Sequence, residues 1–167
     1  MSNIIQIADF AGTQYSLPEL KYGSYQNYLD KYEKEFLVNL LGADLYNLFI
    51  ADLDGNGVPQ TQRFIDIYNS FEIDDDSCVR YSEGMKIATI QYVYFYAVRD
   101  LAVKKTNTGV VFNDNENSTG PSYLGFNIVE AYNEAVKNAW EIQWYICDND
   151  EVYPEENIQT FNYSSGI

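Results

Sequence analysis

The sequence predicts a mainly α fold, a small helical bundle of about four to five helices with a projecting loop or β-hairpin and extended N- and C-terminal arms. Three observations predict it. Apolar residues recur at spacings of three and four through most of the chain, glycine and proline collect in a few short stretches, and both ends are polar with scattered aromatics. At 167 residues the natural organisation is a single domain, 1–167, long enough to bury a real core.

The elements follow in order. Residues 1–23 mix a short β-like run, Ile4-Ile5-Gln6-Ile7, with Gly12 and Pro18, the pattern of an extended arm leading into the body. The helical body occupies 24–105. Its first helix begins near Ser24, a suitable N-cap, and carries Leu29, Tyr32, Phe36, Leu37, Leu40 and Leu41 on one face. Asp30, Lys31, Lys34 and Glu35 lie on the other. Gly42 stops it, and Ala43-Asp44 restarts a helix with Leu45, Leu48 and Phe49 inward, so two helices are hinged at the glycine. A third runs from about Gln60 through Phe64, Ile67, Tyr68 and Phe71 until the acidic run Asp74-Asp75-Asp76 ends it. Ser82 and Glu83 open the longest helix, from Met85 through Ile90, Val93, Phe95 and Val98 to Ala102. Its middle, QYVYFYAV, alternates like a strand, but the run free of Gly and Pro after Gly84 is too long for one. Apolar residues nearly all round make this helix the central element.

Four glycine or proline punctuators between Thr106 and Gly125 surround the β-type run Val110-Val111-Phe112, which predicts a projecting loop or hairpin over 106–125. The last helix spans 126–147, with Ile128, Val129, Tyr132, Ala135, Val136, Ala139, Trp140, Ile142 and Tyr145 at near-helical spacing. Residues 148–167, DNDEVYPEENIQTFNYSSGI, form a C-terminal tail.

Composition narrows the function. The formal charge of −15, with ten basic residues and no histidine, leaves no Lys/Arg footprint for gripping phosphates. Sequence-specific nucleic-acid binding is thereby disfavoured, although an acidic wall suits a duplex that must slide past. Sixteen Tyr and nine Phe are a marked surplus, useful where a surface is wet alone and buried in a complex. Cys78 and Cys147 form no CxxC pattern, so neither zinc nor a disulfide framework is predicted and a reducing compartment fits. The window Ile87 to Val98 is too short and too polar to span a bilayer, and MSNIIQIADF lacks a secretory signal pattern.

The chemical candidates are few. DLDGNGV, from Asp52 to Val58, places Asp52, Asp54 and Asn56 at the first, third and fifth ligand positions of an EF-hand loop, with Gly57 at its turn. The position that should hold a bidentate Glu is Arg63, and the hydrophobe is replaced by Pro59, so a helix-to-helix turn is the expectation and no metal or cofactor is assigned. Catalysis lacks a histidine base, a GxSxG, a phosphate-binding Gly loop or an HExxH, and no catalytic residue is assigned. Trp140 and Trp144 could form a sugar-stacking platform, against two buried tryptophans as the plainer reading.

The order of LDKYE (29–33), LLGADLY (40–46), LFIA (48–51), FYAVRD (95–100), Asn107-Thr108-Gly109 and Glu116-Asn117 resembles the head-to-tail connector proteins of crAss-like phages infecting gut Bacteroidota. QWYICD (143–148) and Tyr153-Pro154 extend the likeness, which covers most of the chain. The resemblance implies a structural virion protein, not an enzyme. It would be a helical adaptor, made in the host cytoplasm, that assembles as a homo-oligomeric ring, usually of twelve copies, in the phage neck. It would dock on the portal protein or an adjacent neck or tail ring and extend the DNA channel, without specific DNA binding and with no membrane partner. A tyrosine-rich binding module for carbohydrate or calcium is the alternative. Aromatics in the polar extensions, Phe112, Tyr123, Tyr153, Phe161 and Tyr163, are the predicted partner contacts.

Overall fold

Helix α1 (Gln26–Asp52) starts where the Ser24 hydroxyl accepts the Gln26 amide, and it bends at Gly42, whose φ of 73° and ψ of 169° lie outside helical space. The computed structural model describes residues 3–17, 24–75, 78–106, 109–112 and 122–155, with side chains at 3–17, 24–74, 79–101 and 127–155. Glycine adopts that dihedral at no steric cost, so the predicted hinge is present within one continuous element. Leu29, Tyr32, Phe36, Leu37, Leu40, Leu41, Leu45 and Phe49 are buried as their spacing requires, whereas Leu48 is exposed. Leu45, Tyr46 and Phe49 take the inward positions of the second half, and Leu48 falls to the side of that face.

Helix α2 (Gln62–Tyr68) is shorter than the predicted third helix and buries Phe64, Ile67 and Tyr68. Phe71 belongs instead to strand β1 (Phe71–Asp75), which pairs antiparallel with β2 (Cys78–Ser82) in the register Phe71↔Ser82 and Ile73↔Arg80. Asp74 and Asp75 therefore lie at the end of a β1 strand that helical spacing did not suggest, and Asp76 lies outside the described residues. Strand alternation in FEI and VRY was the available signal, and it is too short to be decisive.

Helix α3 (Met85–Ala102) is central, packing on α1 along one side and α4 along the other. Ala88, Val93, Ala97 and the surrounding aromatics are buried almost all round it, which answers the QYVYFYAV ambiguity in favour of helix. Each large side chain fully buried there or on α1 contributes about 1.5–3 kcal/mol by removal from water. Tyr32, Tyr92, Phe95, Tyr96 and Tyr132 form a ring cluster across α1, α3 and α4, with the Tyr32 and Tyr96 rings stacked at 4.5 Å. Strands β3 (Val103–Thr106) and β4 (Gly109–Phe112) pair Val103↔Phe112 as a hairpin, which starts three residues before the predicted 106–125 segment, while residues 122–125 of that segment are helical.

Helix α4 (Ser122–Asp148) begins earlier than its predicted Phe126. Ala131, Ala135 and Ala139 line its inner face and admit a close approach to α3, backed by Ile142 and Ile146.

Both terminal extensions, where described, differ from free arms. Ile4, Ile5 and Phe10 are buried in the core, with Ile7–Phe10 forming a turn of 3₁₀ helix. Gly57 explains how closely the segment approaches: a Cβ there would stand 2.0 Å from the Asn3 carbonyl oxygen. At the other end, residues 149–155 turn back, and Tyr153 enters the core. A tail beginning at 148 is therefore corrected for its first residues, because one large ring gains more by burial than a short polar segment gains by staying solvated.

Candidate functional site

Of the predicted contact residues, Tyr153 is the one whose side chain is described, and it is not a surface anchor. It is 1 % exposed, and its hydroxyl donates to the Arg63 carbonyl at 2.5 Å. Arg63 in turn bonds the Val152 carbonyl and forms an ion pair with Glu155 at 3.1 Å, stitching 152–155 to α2. Phe112 lies in β4 and Tyr123 in the first turn of α4, but their side chains lie outside the described ones. Phe161 and Tyr163 lie outside the described residues altogether.

The DLDGNGV segment is a turn that its own carboxylates build. Asp54 Oδ1 accepts the amides of Asn56 and Val58 at 2.8 and 2.9 Å. Asp52 Oδ2 accepts those of Gln60 and Thr61, both at 2.8 Å, and its other oxygen takes the Thr61 hydroxyl. Asp52 thus satisfies amide donors at the start of α2 from across the loop. Partial burial pushes its carboxyl up, but the Thr61 and Gln60 bonds outweigh that and hold it below the usual range. The Val58 and Asn56 amides hold Asp54 low as well. Among the described residues, no cluster of three His, Cys, Asp or Glu could hold a metal ion.

The outer face of α4 carries what the loop does not. Because the alanines and isoleucines of α4 point at α3, Trp140 and Trp144, one helical turn apart, are directed outward and stand 53 % and 55 % exposed. This overturns the reading of two buried tryptophans. Val129 continues the exposed stripe toward the helix N-terminus. Arg80 reaches from β2, its guanidinium 4.3 Å over the Trp144 ring and its Nε 3.2 Å from Glu141. That cation–π contact steadies one tryptophan while leaving much of its surface open. Val79 and Tyr81, which alternate with Arg80 along β2, are also exposed.

Beside this face lies a polar cleft of about 580 Å³, bordered by Tyr15, Tyr81, Glu83, Glu130, Glu134 and Asn138. Its floor is a closed network. Asn138 Nδ2 donates to Gln91 Oε1 at 3.0 Å, Gln91 Nε2 donates to Glu83 Oε2 at 2.7 Å and Tyr15 Oη at 3.0 Å, and the Glu83 amide donates to Asn138 Oδ1 at 2.8 Å. Helices α3 and α4, the link that precedes α3 and the N-terminal segment are thus tied by mutually satisfied polar groups. Glu83 Oε2 accepts from both the Gln91 and the Asn138 side-chain amides, which makes it a structural member of the network.

Sequence reasoning also missed Glu33. Its place among apolar residues of α1 was the signal, since a carboxylate at a core-facing position needs a dedicated partner. The amides of Ile4 and Ile5 supply it, at 3.1 and 3.3 Å.

No helix among the described residues is long and apolar enough to cross a membrane. Compared with known proteins, residues 37–159 match the profile of a family of unknown function, DUF6712. No curated protein and no solved structure matches the chain.

Proposed function

We propose that this chain, which belongs to the DUF6712 family, is a structural subunit of a phage head-to-tail connector, a ring protein that docks at the portal or a neighbouring neck ring and lines the DNA channel. The observation that carries the reading is the outward-facing tryptophan pair on α4. Two exposed indoles on a rigid helix are costly to leave in water and are the residue type that dominates protein interfaces. A neighbouring copy of this chain would cover them. The motif order that resembles crAss-like connector proteins supports the same reading, as does a net charge of −15, which keeps a channel wall from holding DNA.

Mass spectrometry of purified virions from a phage encoding the chain tests it, with copy number scaled to the portal protein. A ratio near one copy per portal subunit is expected; absence from portal-containing virions refutes the role. The same tryptophans favour a second reading, saccharide stacking. It requires saturable quenching of indole fluorescence by an oligosaccharide, lost in Trp140→Ala.

A further inference from the structure

Glu33 is a carboxylate in an unusual position, 5 % exposed on the core side of α1, with its two oxygens spent on consecutive amides of the N-terminal segment. We propose that residues 3–10 form a clasp gated by the charge on Glu33: the neutral carboxyl holds it closed, and ionisation favours its release.

The surroundings decide the sign. Among the described residues no cation lies within ion-pair distance of Glu33. The titratable groups that face it add no positive charge: Asp30 on its own helix, Tyr46 beyond the kink and Tyr68 on α2. On the clasp itself Asp9 is already paired with Lys86 of α3 at 3.0 Å. Two amide bonds favour the carboxylate, but a charge taken out of water without a counter-ion costs more than they return. Burial pushes the Glu33 carboxyl up to about 7 from 4.5, against the pull of the Ile4 and Ile5 amides. When the clasp opens, the group is solvated again. Closed chains therefore bind more protons than open ones between those two values, and closure weakens as pH rises through that window. The limit is a factor of about 300 in the opening equilibrium, tenfold for each unit of displacement.

The rest of the clasp is built for a defined closed state and a separable open one. Ile4, Ile5 and Phe10 fill core positions, Asn3 donates to Asp30 at 2.9 Å, and the Asn3 carbonyl sits where only a glycine at 57 leaves room. None of these contacts is covalent, and no strand pairing ties residues 3–10 to the body. Opening withdraws three apolar side chains from the core and exposes their seats. The clasp is a property of the isolated chain and does not depend on what the protein assembles with.

Hydrogen exchange at the Ile4 and Ile5 amides reads the gate directly, since these are the donors Glu33 holds. Protection factors corrected for intrinsic rates would be followed from pH 5 to pH 8.5 in the full chain and in Glu33→Gln, with Val93 of α3 as the core reference. The expected result is a fall of up to about 300-fold in the wild type, with Ile4 and Ile5 less protected than Val93 throughout and the variant flat. Protection that is constant or rises with pH overturns the proposal, as do parallel falls in both proteins. Equal protection at Ile4 and Val93 overturns it too, because the segment would then open only with the whole fold. Should Glu33→Gln fail to fold, the wild-type slope and the Ile4-to-Val93 comparison still decide.

Discussion

Replacing Tyr153 with alanine removes a ring that is 1 % exposed, lies 6.4 Å from the Tyr145 ring and holds the Arg63 carbonyl through its hydroxyl. Truncating a buried aromatic to alanine costs about 3–5 kcal/mol, transfer and cavity together. Tyr153→Phe isolates the hydroxyl. The Arg63 carbonyl lies within α2 and keeps the company of helical donors, so that variant should lose only about 1 kcal/mol. Val152→Ala, at an exposed neighbour whose carbonyl still accepts from Arg63, should stay within about 0.5 kcal/mol of wild type. Urea denaturation followed by far-ultraviolet circular dichroism measures all three through their midpoints at constant slope. The ordering Ala, then Phe, then the Val152 control is the prediction. If Tyr153→Ala unfolds at the wild-type urea concentration, the 149–155 return is not part of the folded unit, and Tyr153 reverts to a surface contact.

Further outcomes follow from the other sites. Gly57→Ala puts a Cβ against the Asn3 carbonyl at a φ of 80° and should cost about 2 kcal/mol or more, read as a lowered midpoint with reduced Ile4 protection. Asp52→Ala should cost about 1 kcal/mol by removing the acceptor at the start of α2. Because the Asp52 carboxyl is held below its usual range, its contribution should be complete above about pH 4 and fade as pH falls further, a trend the variant lacks. Calorimetric titration of calcium should show no saturable heat; millimolar or tighter binding abolished by Asp54→Ala would revive the EF-hand reading. Trp140→Ser with Trp144→Ser should leave the urea midpoint within about 1 kcal/mol of wild type, since both side chains are largely outside the core, yet reduce incorporation into virions. Normal incorporation would remove α4 from the interface.

Where a single periodicity ran long enough, the sequence was legible. The inward face of the first half of α1, the hinge at Gly42 and the helical state of QYVYFYAV follow from spacing, from the one residue that tolerates the kink, and from length. The β1–β2 hairpin was not legible, because alternation over a few residues cannot outvote a preceding helical pattern. The terminal segments failed for another reason. Ile4, Phe10 and Tyr153 look like sparse apolar residues in polar stretches, and only a body with vacant seats turns them into core. The tryptophans failed in the opposite sense. Their spacing fits both faces of α4, and the alanines decided which face turned inward.

By itself, then, the order of residues determined the helical class, the hinge, the acidic balance and the absence of any histidine, since these depend on local propensity and composition. Tertiary structure decided which of two candidate faces of α4 meets water, that the described end segments close over the body, and that one carboxylate of α1 lies in the core with two amides for company. Those outcomes depend on packing between residues distant along the chain. Free energy there comes from filling a shared volume, which no local pattern records.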